Sequence, residues 1–163
     1  MEIRLEQITD KEEIFALTTA AFKDMPFSDQ REAAIVDALR EHQALALSLV
    51  AIEGDTLIGH VAFSPVAIEG EYVDWYALGP VSVWPECQRK GIGQSLIRDG
   101  LERLKNLGAK GCVLVGDPNY YSRFGFEHDP RLTYSPVPAQ YVQRLVFVPP
   151  VPQGEVQFHP AFG

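Results

Sequence analysis

Cysteine is scarce: Cys87 and Cys112 are the only two in 163 residues, with no Cys-x-x-Cys spacing. That excludes a disulfide framework and argues against a cysteine-ligated metal, so no metal and a reducing, cytoplasmic setting are expected. Long apolar runs are missing as well. None approaches the ~18 residues that cross a bilayer, and Met1-Glu-Ile-Arg-Leu-Glu6 lacks the basic-then-apolar plan of a signal peptide, so no membrane partner is expected. Positive charge is in deficit, with 14 Lys and Arg against 22 Asp and Glu and a net charge of −8. A surface of that sign repels a phosphate backbone, which argues against nucleic acid and mildly favours a cationic partner. There is no internal repeat and no low-complexity tract.

What is present is enough apolar matter, 46% of residues, to bury one core. A single domain over residues 1–163 is expected. Ile3, Leu5 and Ile8 alternate with polar residues as in a half-buried strand, and Thr9-Asp-Lys-Glu12 offers a capping box for a helix with Ile14, Leu17, Ala21 and Phe22 on its apolar stripe. Ser28 or Asp29 can cap a second helix through Ile35, Val36 and Leu39. Strands follow at Leu45–Ile52, Leu57–Phe63 and Tyr72–Val83, joined by turns at Glu53-Gly-Asp55 and Ile68-Glu-Gly-Glu71. Ile92, Leu96, Ile97, Leu101, Leu104 and Leu107 then recur at helical spacing up to Gly108. A buried strand Gly111–Gly116 leads to Asp117 as N-cap, Pro118 as first helical residue and Gly125 past the end of a short helix. Prolines crowd the last forty residues, so Tyr141–Val148 and Glu155–Phe158 are expected to be edge strands within irregular chain.

Between the strand ending near Val83 and the long helix stands Trp84-Pro-Glu-Cys-Gln-Arg-Lys-Gly91-Ile-Gly93-Gln-Ser95. Glycines there leave no Cβ between the backbone and a ligand, and the free N–H groups of the next helix point the same way, which suits a phosphate. A dinucleotide fold would place such glycines after its first strand. A nucleoside-triphosphate loop would have Gly-Lys-Ser/Thr, whereas Gly93 is followed by Gln94.

Gln88-Arg-Lys-Gly-Ile-Gly93 resembles the acetyl-CoA signature Gln/Arg-x-x-Gly-x-Gly/Ala of the GCN5-related N-acetyltransferase (GNAT) superfamily, and the order of elements is similar over nearly the whole chain. Tyr120-Tyr121-Ser-Arg-Phe-Gly125-Phe126 resembles that family's second motif beside the thioester. Gly116–Phe126, with Leu78-Gly-Pro80, is similar to the YhbS-like branch in particular. The resemblance implies an α/β (α+β) GNAT fold, a mixed and mostly antiparallel sheet splayed at the fourth and fifth strands and flanked by helices. It implies an N-acetyltransferase that uses acetyl-CoA and passes the acetyl group to an amine by direct transfer in a ternary complex.

In that setting the amides near Lys90, Gly91 and Gly93, with Gln94 and Ser95, would hold the diphosphate, while Gln88 belongs to the signature and Arg89 or Lys90 would add charge from the rim. Val81 and Val83 would offer main-chain groups to the pantetheine arm as an added strand does, and Gly79-Pro80 would bulge where the sheet opens. Tyr121 matches the residue that relatives often use as general acid, Tyr120 would pack or touch pantetheine, and Arg123 would form a surface salt bridge. Many relatives carry a glutamate base on the fourth strand, but Tyr76–Val83 has none. Asp74, His60 and Glu86 are the remaining candidates, with His60 set among core residues, and Cys87 is expected to be packed and unreactive. A sensing domain without transfer chemistry, another acyl donor and a hydroxyl acceptor stay open. So do the acceptor, whether small molecule or peptide, and a homodimer.

Overall fold

A computed structural model describes residues 1–163, which separate into two compact units, Met1–Phe63 with Gly79–Glu102 and Ser64–Leu78 with Arg103–Gly163. The boundaries fall inside β3 (Thr56–Ile68), β4 (Glu71–Val83) and α3 (Ile92–Asn106).

The first unit also holds β1 (Glu2–Leu5), α1 (Lys11–Phe22), α2 (Glu32–Glu41) and β2 (Leu47–Glu53), with strand order β1-β2-β3-β4. β1 and β3 both run antiparallel to β2. Ile14 and Leu17 of α1, Val36 of α2, Val50 and Leu57 form one apolar cluster, with Leu45, Ile52 and Trp84 packed against it. α3 lies very close to the sheet because two glycines allow it. A Cβ on Gly59 would sit 2.9 Å from the Leu96 side chain, and one on Gly100 would sit 2.5 Å from the Phe63 ring. This close packing holds the start of α3 beside the end of β4.

Three local expectations change here. β1 forms, but Leu5 is 54% exposed and Ile8, in a 3₁₀ turn Ile8–Asp10, is 78% exposed, so the strand does not turn that apolar series inward. The first helix is not capped by Thr9. The box forms at Gln7 instead: the Asp10 carboxylate accepts from Gln7 N–H at 2.7 Å and is held further by both Arg4 guanidinium nitrogens at 2.7 and 3.1 Å. Similarly α2 begins at Glu32, and Ser28 orders the loop before it by accepting from Gln30 N–H and donating to Glu32.

The second unit adds β5 (Gly111–Val115), α4 (Pro118–Tyr121), β6 (Glu127–His128), β7 (Leu132–Thr133), β8 (Val142–Val146) and β9 (Gly154–Gln157). β5 runs parallel to β4 only from Gly111 to Val113, opposite Trp75–Ala77, while its other edge pairs antiparallel with β8 along its whole length. β9 pairs with β3 at Ala67 and Ile68 and with β7 on its other side. Trp75, Val66, Val113, Leu132, Val142 and Val156 form the core, with Tyr134, Val137 and Phe158 against it. The expectation of edge strands fails for β8, which lies between β5 and β6 with Val142 and Gln143 buried. Pro138 and Pro149 flank this strand without interrupting it, so it pairs with β5 along its whole length and with β6 at Gln143 and Arg144.

Candidate functional site

The loop after β4 is built by side chains that lock its two ends. Trp84 donates from its backbone N–H to the Ile58 carbonyl at 3.1 Å and from its indole N–H to the Leu57 carbonyl at 2.9 Å. Gln88 Nε2 reaches back to the Val83 carbonyl at 3.0 Å and closes the loop. Arg89 at φ 65° and Gly91 at φ 81° then turn the chain into α3. The first helical ladder bond nearby is Ser95 N–H to the Gly91 carbonyl at 3.0 Å, and the N–H groups of Arg89, Lys90, Gly91, Ile92, Gly93 and Gln94 donate to no protein acceptor. Consecutive free amides at a helix start form a field of partial positive charge with nothing of their own to neutralise it.

Lys90, Gly91, Ile92 and Ser95 line a recess of about 350 Å³ together with Met1, Glu53, Ile58 and Cys87. Arg89 and Lys90 are exposed, and Gln94 and Ser95 are half-buried. Gln88, Arg89, Lys90, Gly91, Gly93, Gln94 and Ser95 thus stand together, with Val81 and Val83 on the strand that leads into them. The Val83 carbonyl already accepts from Gln88, so that residue's backbone is partly engaged within the protein.

Tyr121 belongs to the second unit. α4 has only four residues, and its start is organised by Asp117, whose carboxylate accepts from Asn119 N–H at 2.9 Å, with Pro118 supplying a pre-set φ. Gly125 at φ 94° ends the turn that follows. The Tyr121 ring meets Tyr120 edge-on at 4.9 Å and lies 6.1 Å from both Phe124 and Phe126. Burial among these rings pushes the phenol up to about 12, with Tyr120 and Cys112 adding to the effect. The Tyr121 hydroxyl forms no hydrogen bond to the protein, so its donor is available to a ligand. Arg123 lies 4.5 Å over the Tyr120 ring and donates from Nε to the Tyr120 carbonyl at 2.7 Å, so it buttresses Tyr120.

The candidate bases are placed as follows. His60 is fully buried in the first unit, and burial lowers its pKa to about 4. Ser48 Oγ donates to Glu6 at 2.7 Å and therefore accepts from His60 Nε2 at 2.8 Å, which makes His60 a neutral Nε2–H tautomer with Nδ1 unpartnered. Arg40 pins Glu6 from the far side through two bonds of 2.8 and 2.9 Å. No sequence spacing marks this Arg40–Glu6–Ser48–His60 chain, because its members come from α2, the loop after β1, β2 and β3. Asp74 and Glu86 are exposed, and the Asp74 carbonyl is engaged by Lys110 N–H at 2.8 Å. Cys87 is a half-buried free thiol. No group of His, Cys, Asp and Glu side chains is arranged to hold a metal ion, and no helix is long and apolar enough to cross a membrane.

Residues 2–128 match the model of an acetyltransferase (GNAT) domain. The chain belongs to the GNAT family. A GNAT acetyltransferase from Brucella melitensis, crystallised in complex with acetyl-CoA, is 50% identical and superposes with a TM-score of 0.90 over 99% of this chain and 97% of that one. The uncharacterised N-acetyltransferase YhbS of Escherichia coli is 39% identical over 128 residues, 78% of this chain and 74% of YhbS. Its crystal structure in complex with CoA superposes with a TM-score of 0.88, covering 99% of this chain and 91% of that one. The fold is accordingly the GNAT fold, a mixed sheet with helices, and acyltransferase chemistry is supported by both the domain match and the named relatives.

Proposed function

We propose that this GNAT protein is an acetyl-CoA-dependent N-acetyltransferase that moves the acetyl group directly to a primary amine within a ternary complex, with residues 1–163 working as one domain. The observation that carries the proposal is the row of unpaired amides from Arg89 to Gln94 at the start of α3, left open by a loop whose other polar groups are already engaged. Each such N–H can donate to a diphosphate oxygen, and Arg89 and Lys90 add charge without burying it. Gln88 supports the cradle by closing the loop, and Val81 and Val83 offer main-chain groups to an extended arm. The 50% identical Brucella protein that holds acetyl-CoA supports the choice of donor.

In the transfer, the amine nitrogen bonds to the thioester carbonyl carbon, the carbon–sulfur bond breaks, the nitrogen releases a proton to solvent and the thiolate gains one. A phenol at about 12 facing a thiol near 8.5 makes complete proton delivery by Tyr121 uphill by ~5 kcal/mol. Tyr121 therefore acts as a hydrogen-bond donor to charge building on the departing sulfur, with the proton itself arriving from water. With no carboxylate in Tyr76–Val83 and His60 buried as a neutral tautomer, the amine loses its proton to water. A cationic acceptor suits the net charge of −8.

Titration calorimetry tests the donor: acetyl-CoA and CoA are expected to bind with similar heat, and absence of heat with either removes the proposal. Thiol release across a panel of primary amines then separates a transferase from a binding domain without chemistry.

A further inference from the structure

Gln143 on β8 is 1% exposed, yet only half of its amide is used. Nε2 donates to the Gly116 carbonyl at 2.8 Å, while Oε1 has no partner. A buried acceptor left alone costs about 1–3 kcal/mol, so an apolar side chain of the same size would suit this core better unless the bond to Gly116 has a purpose. Gly116 is the joint between β5 and the Asp117 cap of α4, and the β8 side of the sheet holds it twice. Its N–H donates to the Tyr141 carbonyl at 3.0 Å and its carbonyl accepts from Gln143. On its other face Gly116 is the seat of the Tyr121 ring: a Cβ there would lie 2.6 Å from Cε2 and 3.0 Å from Cδ2 of that tyrosine. The rings of Tyr120, Phe124 and Phe126 also pack near it, and no hydrogen bond ties its hydroxyl to the protein. Its position is thus set by packing against a surface that Gln143 fixes.

We propose that Gln143 is a positioning residue for Tyr121, holding the Gly116 peptide so that the phenol ring rests at one depth and one angle. This rests on the reading of Tyr121 as the donor to the leaving thiolate. A hydrogen bond to a developing charge loses most of its value when the donor is displaced by about 1 Å, so a loose seat lowers turnover without loosening the hold on the diphosphate.

The test uses the full chain with its six tyrosines replaced by 3-fluorotyrosine, the Tyr121 resonance being the one absent from Tyr121→Phe. In Gln143→Leu, which keeps the volume and removes the amide, the Tyr121 fluorine resonance is expected to move or broaden while those of Tyr72 and Tyr134 stay in place. Gly116→Ala leaves the Gln143 bond and displaces the ring directly, so it should reproduce the change and serves as the second variant should Gln143→Leu fail to fold. With acetyl-CoA and the best acceptor from the amine panel, Gln143→Leu is expected to lower kcat about tenfold with the acetyl-CoA KM within twofold, and to add nothing in a Tyr121→Phe background. An unmoved Tyr121 resonance in Gln143→Leu, or an equal loss of kcat with and without Tyr121, overturns the positioning role. If Tyr121→Phe alone keeps full turnover, the donor reading of Tyr121 falls, while the fluorine spectrum still decides whether Gln143 places the ring.

Discussion

At the scale of single residues, the strongest chemical statement concerns a proton that stays where it is. With its phenol at about 12, Tyr121 remains a donor through the whole working range, so it should contribute no alkaline limb to the kcat profile below about pH 11. Tyr121→Phe is expected to lower kcat by roughly 10- to 100-fold and to leave the acetyl-CoA KM within twofold, as steady-state thiol release would register. His60 makes a different prediction. Its folded pKa of about 4 lies below the unfolded value of 6.5, so between those values the unfolded chain binds a proton that the native state refuses. Its contribution to stability is full above pH 6.5 and falls as pH drops toward 4, by about 2 kcal/mol at pH 5. Urea unfolding at pH 7 and pH 5 would show this loss, and His60→Leu should reduce it. The position of His60 among apolar strand residues was legible as core, whereas its partners were not, since Ser48, Glu6 and Arg40 reach it from β2, the loop after β1 and α2.

At the scale of elements, the devices that work within a few residues are the ones that local patterns disclosed. Asp117, Pro118 and Gly125 bracket α4 as expected, because a cap, a pre-set φ and a left-handed stop act on immediate neighbours. A four-residue helix has little else to hold it, so Asp117→Ala should cost about 1 kcal/mol, visible as a lower urea midpoint at unchanged m-value. Gly91 at φ 81° is a comparable case at the mouth of α3. Gly91→Val is expected to destabilise the chain by roughly 1–2 kcal/mol through left-handed strain, and to weaken acetyl-CoA at least tenfold in calorimetry by turning the amides away. Where the patterns misled, a contact from elsewhere had intervened. Arg4 of β1 braces Asp10 in a box that opens at Gln7 in place of Thr9, and β5 and β6 enclosed β8 even though prolines stand near either end of it.

At the scale of the whole molecule, acid should be the main threat to the folded state. Asp129 is buried between Arg131 and Arg144, with bonds of 2.8 to 2.9 Å, and their guanidinium groups hold its carboxyl well below the usual range. Glu6 and Asp10 are likewise held low, against an opposing burial effect, by Arg40 with Ser48 and by Arg4 with the Gln7 amide. Folded values below the unfolded ones mean stability that is present above about pH 4 and lost as pH falls through that point. Together with His60, this predicts stability that declines in two overlapping stages from pH 6.5 downward, which urea midpoints measured across an acid titration would follow. Ligand should act in the opposite direction. Acetyl-CoA at a hundred times its dissociation constant adds about 2.7 kcal/mol, which for a chain of this length corresponds to a rise of roughly 5–10 °C in Tm by thermal shift.

Much about this protein was settled by residues close together in the chain: the glycine turn from Gln88 to Ser95, the long helix after it, the hairpin turns and the short capped helix that carries Tyr121. These are decided by glycine φ values, helix-end amides and apolar spacing, forces with a reach of a few residues, and so they are visible in one dimension. The tertiary structure alone decided which buried polar groups meet. The Gln143 amide finds the Gly116 carbonyl 27 residues away, His60 finds Ser48, Ser48 finds Glu6, and Asp129 finds Arg144. Such pairs form because burial makes an unpaired polar group costly and the fold brings a partner within 3 Å, a constraint that leaves no periodic mark on the sequence.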